Sequence, residues 1–248
     1  MIDVPYPVTV PEPASTRRKE PTMSLRDRFF ALTYDRMMKK TEKAGLSDLR
    51  VGLLAQAAGR VLEIGGGTGA NLAHYGPAVE SLTITEPEVP MLKRLERRAR
   101  AEAPQTMVLR APAEDLPFED DTFDVVVSTL VLCGVDDQPR ALREIRRVLV
   151  PGGRLLFLEH VRSADPKMAK KQDRMNWLNQ LVVCCDCNRP TLETIRDAGF
   201  AVTSLEHTAM PKTPSFVRPA IVGSASSLAG TTAQTSPLET NHSLIAGN

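Results

Sequence analysis

Three of the chain's four cysteines fall within four residues, Cys184, Cys185 and Cys187, in "LVVCCDCNRPT". Such a cluster invites three chemistries: metal ligation, thiol–disulfide exchange or nucleophilic attack. The spacing argues against the first two. A tetrahedral ion is usually gripped by pairs in C-x2-C spacing, which is absent, and three adjacent thiols reach one ion poorly. The two-residue spacer of a thioredoxin-like motif is also missing. No metal is expected. A second candidate group is Leu-Glu-His, which occurs at 158–160 and 205–207, each time at the end of an apolar run. His160 is the candidate base or acceptor-positioning group; His207 and His74 read as structural.

The third candidate is "VLEIGGGTGANL", where a short apolar strand runs into Gly65-Gly66-Gly67-Thr68-Gly69 with a helix expected after it. Glycines there permit a tight turn and close approach of a ligand to the backbone. The loop fits two templates, the dinucleotide fingerprint and the acid-x-G-x-G-x-G pattern that binds S-adenosylmethionine (SAM). Glu63, two residues before Gly65, favours SAM, because an acid there attracts the methionine ammonium and repels a pyrophosphate. Glu86 ends the second strand, where a carboxylate accepts both hydroxyls of a ribose; this need is common to SAM and NAD. An acidic turn and a buried strand follow, in "APAEDLPFEDDTFDVVVSTLVL".

These groups need a scaffold. Apolar strands at 60–64, 81–85, 106–111, 123–130 and 153–161 alternate with helical patterns. "DDQPRALREIRRVLV" places Leu142, Ile145, Val148 and Leu149 on one helical face. Asp136 or Asp137 can cap that helix, and Pro151-Gly152-Gly153 should end it. Alternation of this kind predicts an α/β fold, a mostly parallel sheet with helices on both faces. Segments 201–208 and 215–224 are expected to close it as an antiparallel pair. Residues 166–187 form an insertion between the fifth strand and the next helix. Met175, Trp177, Leu178, Leu181 and Val182 make its apolar stripe, and Lys167, Lys170, Lys171 and Arg174 a basic face that is solvated, or touches a membrane or an anionic substrate.

The chain has 248 residues, 42% apolar and 25% charged, and carries a net charge of +1. That balance gives no electrostatic case for nucleic acid as a partner. No apolar run approaches the roughly 18 residues of a membrane span, so no stable membrane anchor is expected, only peripheral contact. The first residues lack a signal-peptide core, which points to the cytoplasm. Residues 1–22, with five prolines, and 224–248, small and polar, read as disordered tails around a domain at 23–223.

Taken together, the glycine loop, Glu86, the acidic turn and the helix–Pro-Gly-Gly–strand unit resemble the class I SAM-dependent methyltransferases over about 50–223. The resemblance implies a Rossmann-like, seven-stranded sheet with one antiparallel strand and SAM as cofactor. It implies that Glu63, Gly65, Gly67, Thr68 and Gly69 line the methionine and ribose, that Glu86 holds the ribose, that Ala113 and Glu114 flank the adenine, and that Ser128 lies beneath the cofactor. Many relatives carry Gly-Asp-Ala before the acidic turn; Ala111-Pro112-Ala113 stands here and leaves Glu114 to meet the adenine amino group. The segments "STLVLCGVDD", "FLEHVRS", "CNRPTLETIRDAGF" and "SFVRPAIVGSA" resemble the microsomal alkyl thiol methyltransferases and their bacterial relatives. That likeness implies a small-molecule acceptor, thiol-bearing or otherwise lipophilic, with the insertion at 166–187 over its pocket and Trp177, Cys187 and Asn188 near it. Asn188 or Thr191 can cap the helix that follows, and Cys184 and Cys185, which match nothing in that family, read as ordinary apolar packing. Phospholipid N-methylation, quinone-ring C-methylation and a non-catalytic SAM-binding role remain alternatives, and an NAD-dependent oxidoreductase is a remote one.

Overall fold

The computed structural model describes residues 34–227 apart from Cys184, and not the side chains of 182 and 183. The expected tails and the start of the domain at residue 23 therefore lie outside the described residues, except that the C-terminal boundary moves. Strand β7 runs Pro219–Ser227, so Ser224 to Ser227 belong to the sheet. Their small side chains suit this position: Ala225 is fully buried and Ser224 nearly so.

The sheet has seven strands in the order β3-β2-β1-β4-β5-β7-β6. They are β1 (Gly59–Ile64), β2 (Val79–Thr85), β3 (Met107–Leu109), β4 (Phe123–Thr129), β5 (Leu149–His160), β6 (Phe200–Ala209) and β7. Strand β7 runs antiparallel to both neighbours, and the other pairings are parallel. The β-branched run of β4 lies at the centre because both its faces are covered. Its residues alternate between two cores. Val126 joins Leu62, Phe157, Leu142 and Ile145 on one face. Val125 and Val127 join Val61, Leu158, Leu54 and Leu95 on the other.

The helices are α1 (residues 34–41), α2 (Ser47–Leu54), α3 (Val89–Glu102), α4 (Gln138–Val148), α5 (Pro166–Val183) and α6 (Thr191–Asp197). A π-turn at Glu42–Leu46, kinked at Gly45 (φ 128°), joins α1 to α2. Asp137 caps α4 by accepting the Arg140 N–H at 2.9 Å.

Three local expectations are corrected. The glycine loop opens into turns and a single 3-10 turn at Leu72–His74. Asn71 points its side chain into a buried polar network there rather than continuing a helix. Helix α4 stops at Val148, because Leu149 already pairs with Phe123 in the sheet. The Pro-Gly-Gly turn then loops out within β5, with Gly152 at φ 78°. Neither Asn188 nor Thr191 caps α6; Pro190 occupies the cap position. The Asn188 amide donates to Asp173 instead, and the Thr191 hydroxyl to the His160 carbonyl.

Candidate active site

Two cavities open at the carboxyl ends of the parallel strands, where open α/β sheets place their sites. The first, about 420 Å³, is lined by Gly65, Gly67, Glu86, Ala113, Glu114 and Val131, among others. Gly65 and Gly67 have φ near 58°, a conformation that only glycine adopts without strain. At Gly65 a side chain would also strike Val131. The loop therefore presents bare backbone. The Gly67 N–H donates to Glu86 Oε2 at 2.8 Å, and the Glu88 N–H to Glu86 Oε1 at 2.9 Å. Burial nevertheless pushes the Glu86 carboxyl up to about 7. Opposite, Glu114 Oε1 accepts the N–H groups of Asp136 and Asp137 at 2.9 and 3.3 Å. It thereby anchors the loop that leads into α4.

The remaining residues expected at this cleft do not line it. Glu63 is buried behind the glycine loop and accepts from Asn71 Nδ2 at 3.0 Å and from the Tyr75 hydroxyl at 2.7 Å. Burial pushes it too to about 7. Arg50 closes that network by donating to Asn71 Oδ1 and Thr129 Oγ1. The Thr68 hydroxyl is turned away to donate to Asp35 on α1 at 2.6 Å, tying α1 to the loop. Gly69 faces Leu72 and Leu95, where a side chain would not fit. Ser128 is fully buried and donates to Glu159.

The second cavity, about 320 Å³, is mainly apolar. Met37, Leu178, Met210 and Phe216 line it, and its polar lining includes Cys133, Cys185, His160, Thr41, Asn179 and Lys212. Tyr34 and Leu130 border both cavities, so the two meet there. Leu130 sits at φ 62°, a strained setting for a side chain with a β-carbon, and its N–H donates to the Leu158 carbonyl at 2.8 Å. His160 Nδ1 is buried without a hydrogen-bond partner. Burial holds its imidazole near 4, although hydrogen bonding to the backbone of Val217 and Pro219 pulls the other way. The free Cys133 thiol shares a hydrogen bond with the free thiol of Cys185, and this contact with burial pushes Cys133 well above the usual thiol range.

The cysteines thus divide differently from the sequence expectation. Cys187 is fully buried against Phe216 and Val217, behind the cavity wall. Cys185, which reads in the sequence as ordinary packing, lines the cavity. Trp177 is on the outer face of α5 and Asn188 binds Asp173; neither lines the pocket. Among the described residues, no three His, Cys, Asp or Glu side chains could hold a metal ion. Tyr34 carries no motif and is found only through the fold; Glu159 stands in the Leu-Glu-His motif, but only the fold shows that it holds the loop after β4. Cys133 has a sequence signal, its place just beyond the end of β4.

A glycine-floored cleft at the centre of this sheet, with an acid at the end of β2 and an apolar chamber beside it, is the architecture of the class I methyltransferases. Residues 62–157 match the family model described as a methyltransferase domain. Human thiol S-methyltransferase TMT1A is 32% identical over 212 residues, covering 79% of this chain and 82% of that protein. The ubiquinone/menaquinone biosynthesis C-methyltransferase UbiE of Idiomarina loihiensis is 40% identical over 105 residues, 40% of this chain and 42% of that one. A SAM-dependent methyltransferase structure from Thermotoga maritima superposes with a TM-score of 0.61 at 22% identity, over 83% of this chain and all of that one. The [4+2]-cyclase SpnF superposes with a TM-score of 0.62 at 18% identity, over 82% and 95%. These two structures speak for the fold alone. The chain belongs to the SAM-dependent methyltransferases, on the strength of its likeness to the thiol S-methyltransferase, and SAM is its cofactor. The residues of the cleft fit that cofactor: bare backbone faces it at Gly65 and Gly67, and one buried carboxylate is aimed into it.

Proposed function

We propose that the chain methylates a small, neutral, lipophilic acceptor, a thiol by first choice, bound in the apolar cavity. The observation that carries this reading is the unpartnered His160 Nδ1, buried in the wall of a chamber that meets the cofactor cleft at Tyr34 and Leu130. A buried polar atom without a partner needs a reason, and a donor on the bound acceptor would supply one. When bound, SAM supplies an electrophilic methyl group on a sulfonium. In this reading Glu86 accepts the ribose hydroxyls, Gly65 and Gly67 let the ligand approach the backbone, and Ala113 and Glu114 flank the adenine. Glu63, Thr68, Gly69 and Ser128 act indirectly, by holding the loop and the walls.

His160 accepts the acceptor's S–H and orients the sulfur towards the cleft. At about 4 its imidazole is too weak a base to hold a thiol proton for long. A free thiol near 8.5 lies roughly four pKa units above it. His160 Nδ1 would hold and orient the acceptor's S–H, and the acceptor's proton would pass to solvent as its sulfur takes the methyl group that bound SAM would supply. The mainly apolar walls favour lipophilic acceptors over charged ones. The similarity to the thiol S-methyltransferase spans both the cofactor and acceptor halves, whereas that to the C-methyltransferase spans less than half of this chain.

A radiolabelled-SAM assay against thiols, phenols, quinols and phospholipids tests the reading. Label is expected in lipophilic thiols. Transfer to phospholipid amines or quinol rings alone would replace it, and transfer to none of them would sink it.

A further inference from the structure

The outer face of α5 carries an unusual pattern. Lys167, Lys170, Arg174, Trp177 and Leu181 recur at three- and four-residue intervals, so they share one helical stripe. All five are exposed. The first half of the stripe is cationic and the second half apolar. The single acid of the helix, Asp173, borders the stripe between Lys170 and Trp177, and it is already paired with Arg162 at 2.8 Å. Trp177 is 62% exposed and Leu181 57%, and Met37 on α1 is 40% exposed. With Val51 these are the exposed large apolar side chains among the described residues. Met37 and Leu178, the neighbour of Trp177, both line the acceptor cavity. The apolar end of the stripe is therefore continuous with the rim of the cavity.

Exposing an indole and a leucine to water is unfavourable, and neighbouring cations whose one adjacent acid is already held by Arg162 restrict what can cover them. An anionic lipid surface meets both demands at once, with phosphates for the cations and the acyl boundary for Trp177 and Leu181. We propose that this face of α5 docks on an anionic bilayer surface and turns the rim of the cavity towards the lipid. That a lipophilic acceptor enters from the membrane rests on the function proposed above; the docking itself does not.

Trp177 is the only tryptophan of the chain, so its emission reports this face alone. The full chain is mixed with vesicles of phosphatidylcholine, with or without phosphatidylglycerol, some carrying brominated acyl chains. With phosphatidylglycerol the emission should shift to the blue and be quenched by bromine, and high salt should reverse both. The double variant Lys170→Glu/Arg174→Glu should bind on the order of tenfold or more weakly, with SAM affinity unchanged by calorimetry. Unshifted emission overturns the proposal. Equal binding to pure phosphatidylcholine overturns it too, as does sedimentation with vesicles without quenching of Trp177. None of these readouts involves methyl transfer, so the docking and the acceptor reading fail separately.

Discussion

The Ser128 hydroxyl donates to Glu159 Oε1 at 2.6 Å, deep beneath the carboxyl edge of the sheet. The same oxygen accepts the N–H groups of Val131 and Leu132 at 3.1 Å, and Oε2 accepts that of Cys133 at 3.3 Å. One fully buried carboxylate thus holds the loop between the two cavities. Burial raises its pKa, and these four donors pull against the rise.

Replacing Glu159 by Gln turns one acceptor into a donor facing N–H groups. Leaving a buried donor unsatisfied costs about 1–3 kcal/mol. The Glu159→Gln variant should lose that much stability in chemical denaturation. It should also raise KM for both SAM and the acceptor, since the loop borders both cavities. An unchanged midpoint would mean that the loop is held by its neighbours alone.

Glu86 gives a pH dependence to cofactor binding. In the role proposed for it, the carboxylate form accepts two ribose hydroxyls, and the protonated form would lose one of those bonds. With its pKa near 7 in the folded chain, SAM affinity should fall as the pH drops below about 7. Glu86→Gln should bind SAM about ten- to a hundredfold more weakly, the loss of a hydrogen bond to a charged group, and without that pH dependence. Calorimetry at several pH values checks both points.

Stability should respond to the same groups. Glu63 and Glu86 titrate near 7 in the folded chain and near 4.5 in the unfolded one. Between those values the folded state binds more protons, so their contribution is full below 4.5 and is lost as the pH rises through 7. His160 opposes them: it titrates near 4 when folded against 6.5 unfolded, so stability is lost as the pH falls through that window. Two carboxyls outweigh one imidazole. The unliganded chain should melt higher at about pH 5.5 than at about pH 7.5, and Glu63→Gln should flatten the difference. A melting temperature that rises over this range would contradict the balance.

Much of this was readable from residue patterns, and the failures have physical causes. Strand positions and sheet class follow from apolar runs that must be buried, as in β4, and from the glycine loop that follows β1. The side-chain roles were less readable. Glu63 and Glu159 are both acids at strand ends, and nothing in their spacing says which faces a cavity. Thr68 sits in a cofactor motif, yet its hydroxyl is claimed by Asp35, 33 residues earlier in the chain. Cys185 and Cys187 are two residues apart, and only the turn after α5 decides which lines the chamber. Tyr34 borders both cavities because α1 folds over the loop, a long-range packing event with no local signature.

The two cysteines are separable by experiment. Cys185→Phe places a ring into the acceptor chamber and should shift the preference towards smaller acceptors while SAM affinity stays constant. Cys187→Ala leaves a small gap against Phe216 and Val217 and should act mainly on stability. A change of acceptor preference from Cys187→Ala, with none from Cys185→Phe, would reverse the assignment.

His160 supplies the sharpest test of the acceptor chemistry. Its imidazole is buried and neutral down to about pH 4, so the rate of thiol methylation should show no inflection near the ordinary histidine value of 6.5. The rate should instead climb as the acceptor thiol ionises, towards about 8.5. His160→Ala removes the orienting bond but not the apolar walls. It should lower kcat by about tenfold, less than the hundredfold or more expected for loss of a true general base, with SAM affinity intact. The loss should shrink at high pH, where the acceptor is already a thiolate and brings no proton for Nδ1 to accept. A pH-independent loss would make His160 a packing residue. An inflection near 6.5 that vanishes in the variant would make it a proton-holding base, and the neutral imidazole assigned to it would be wrong.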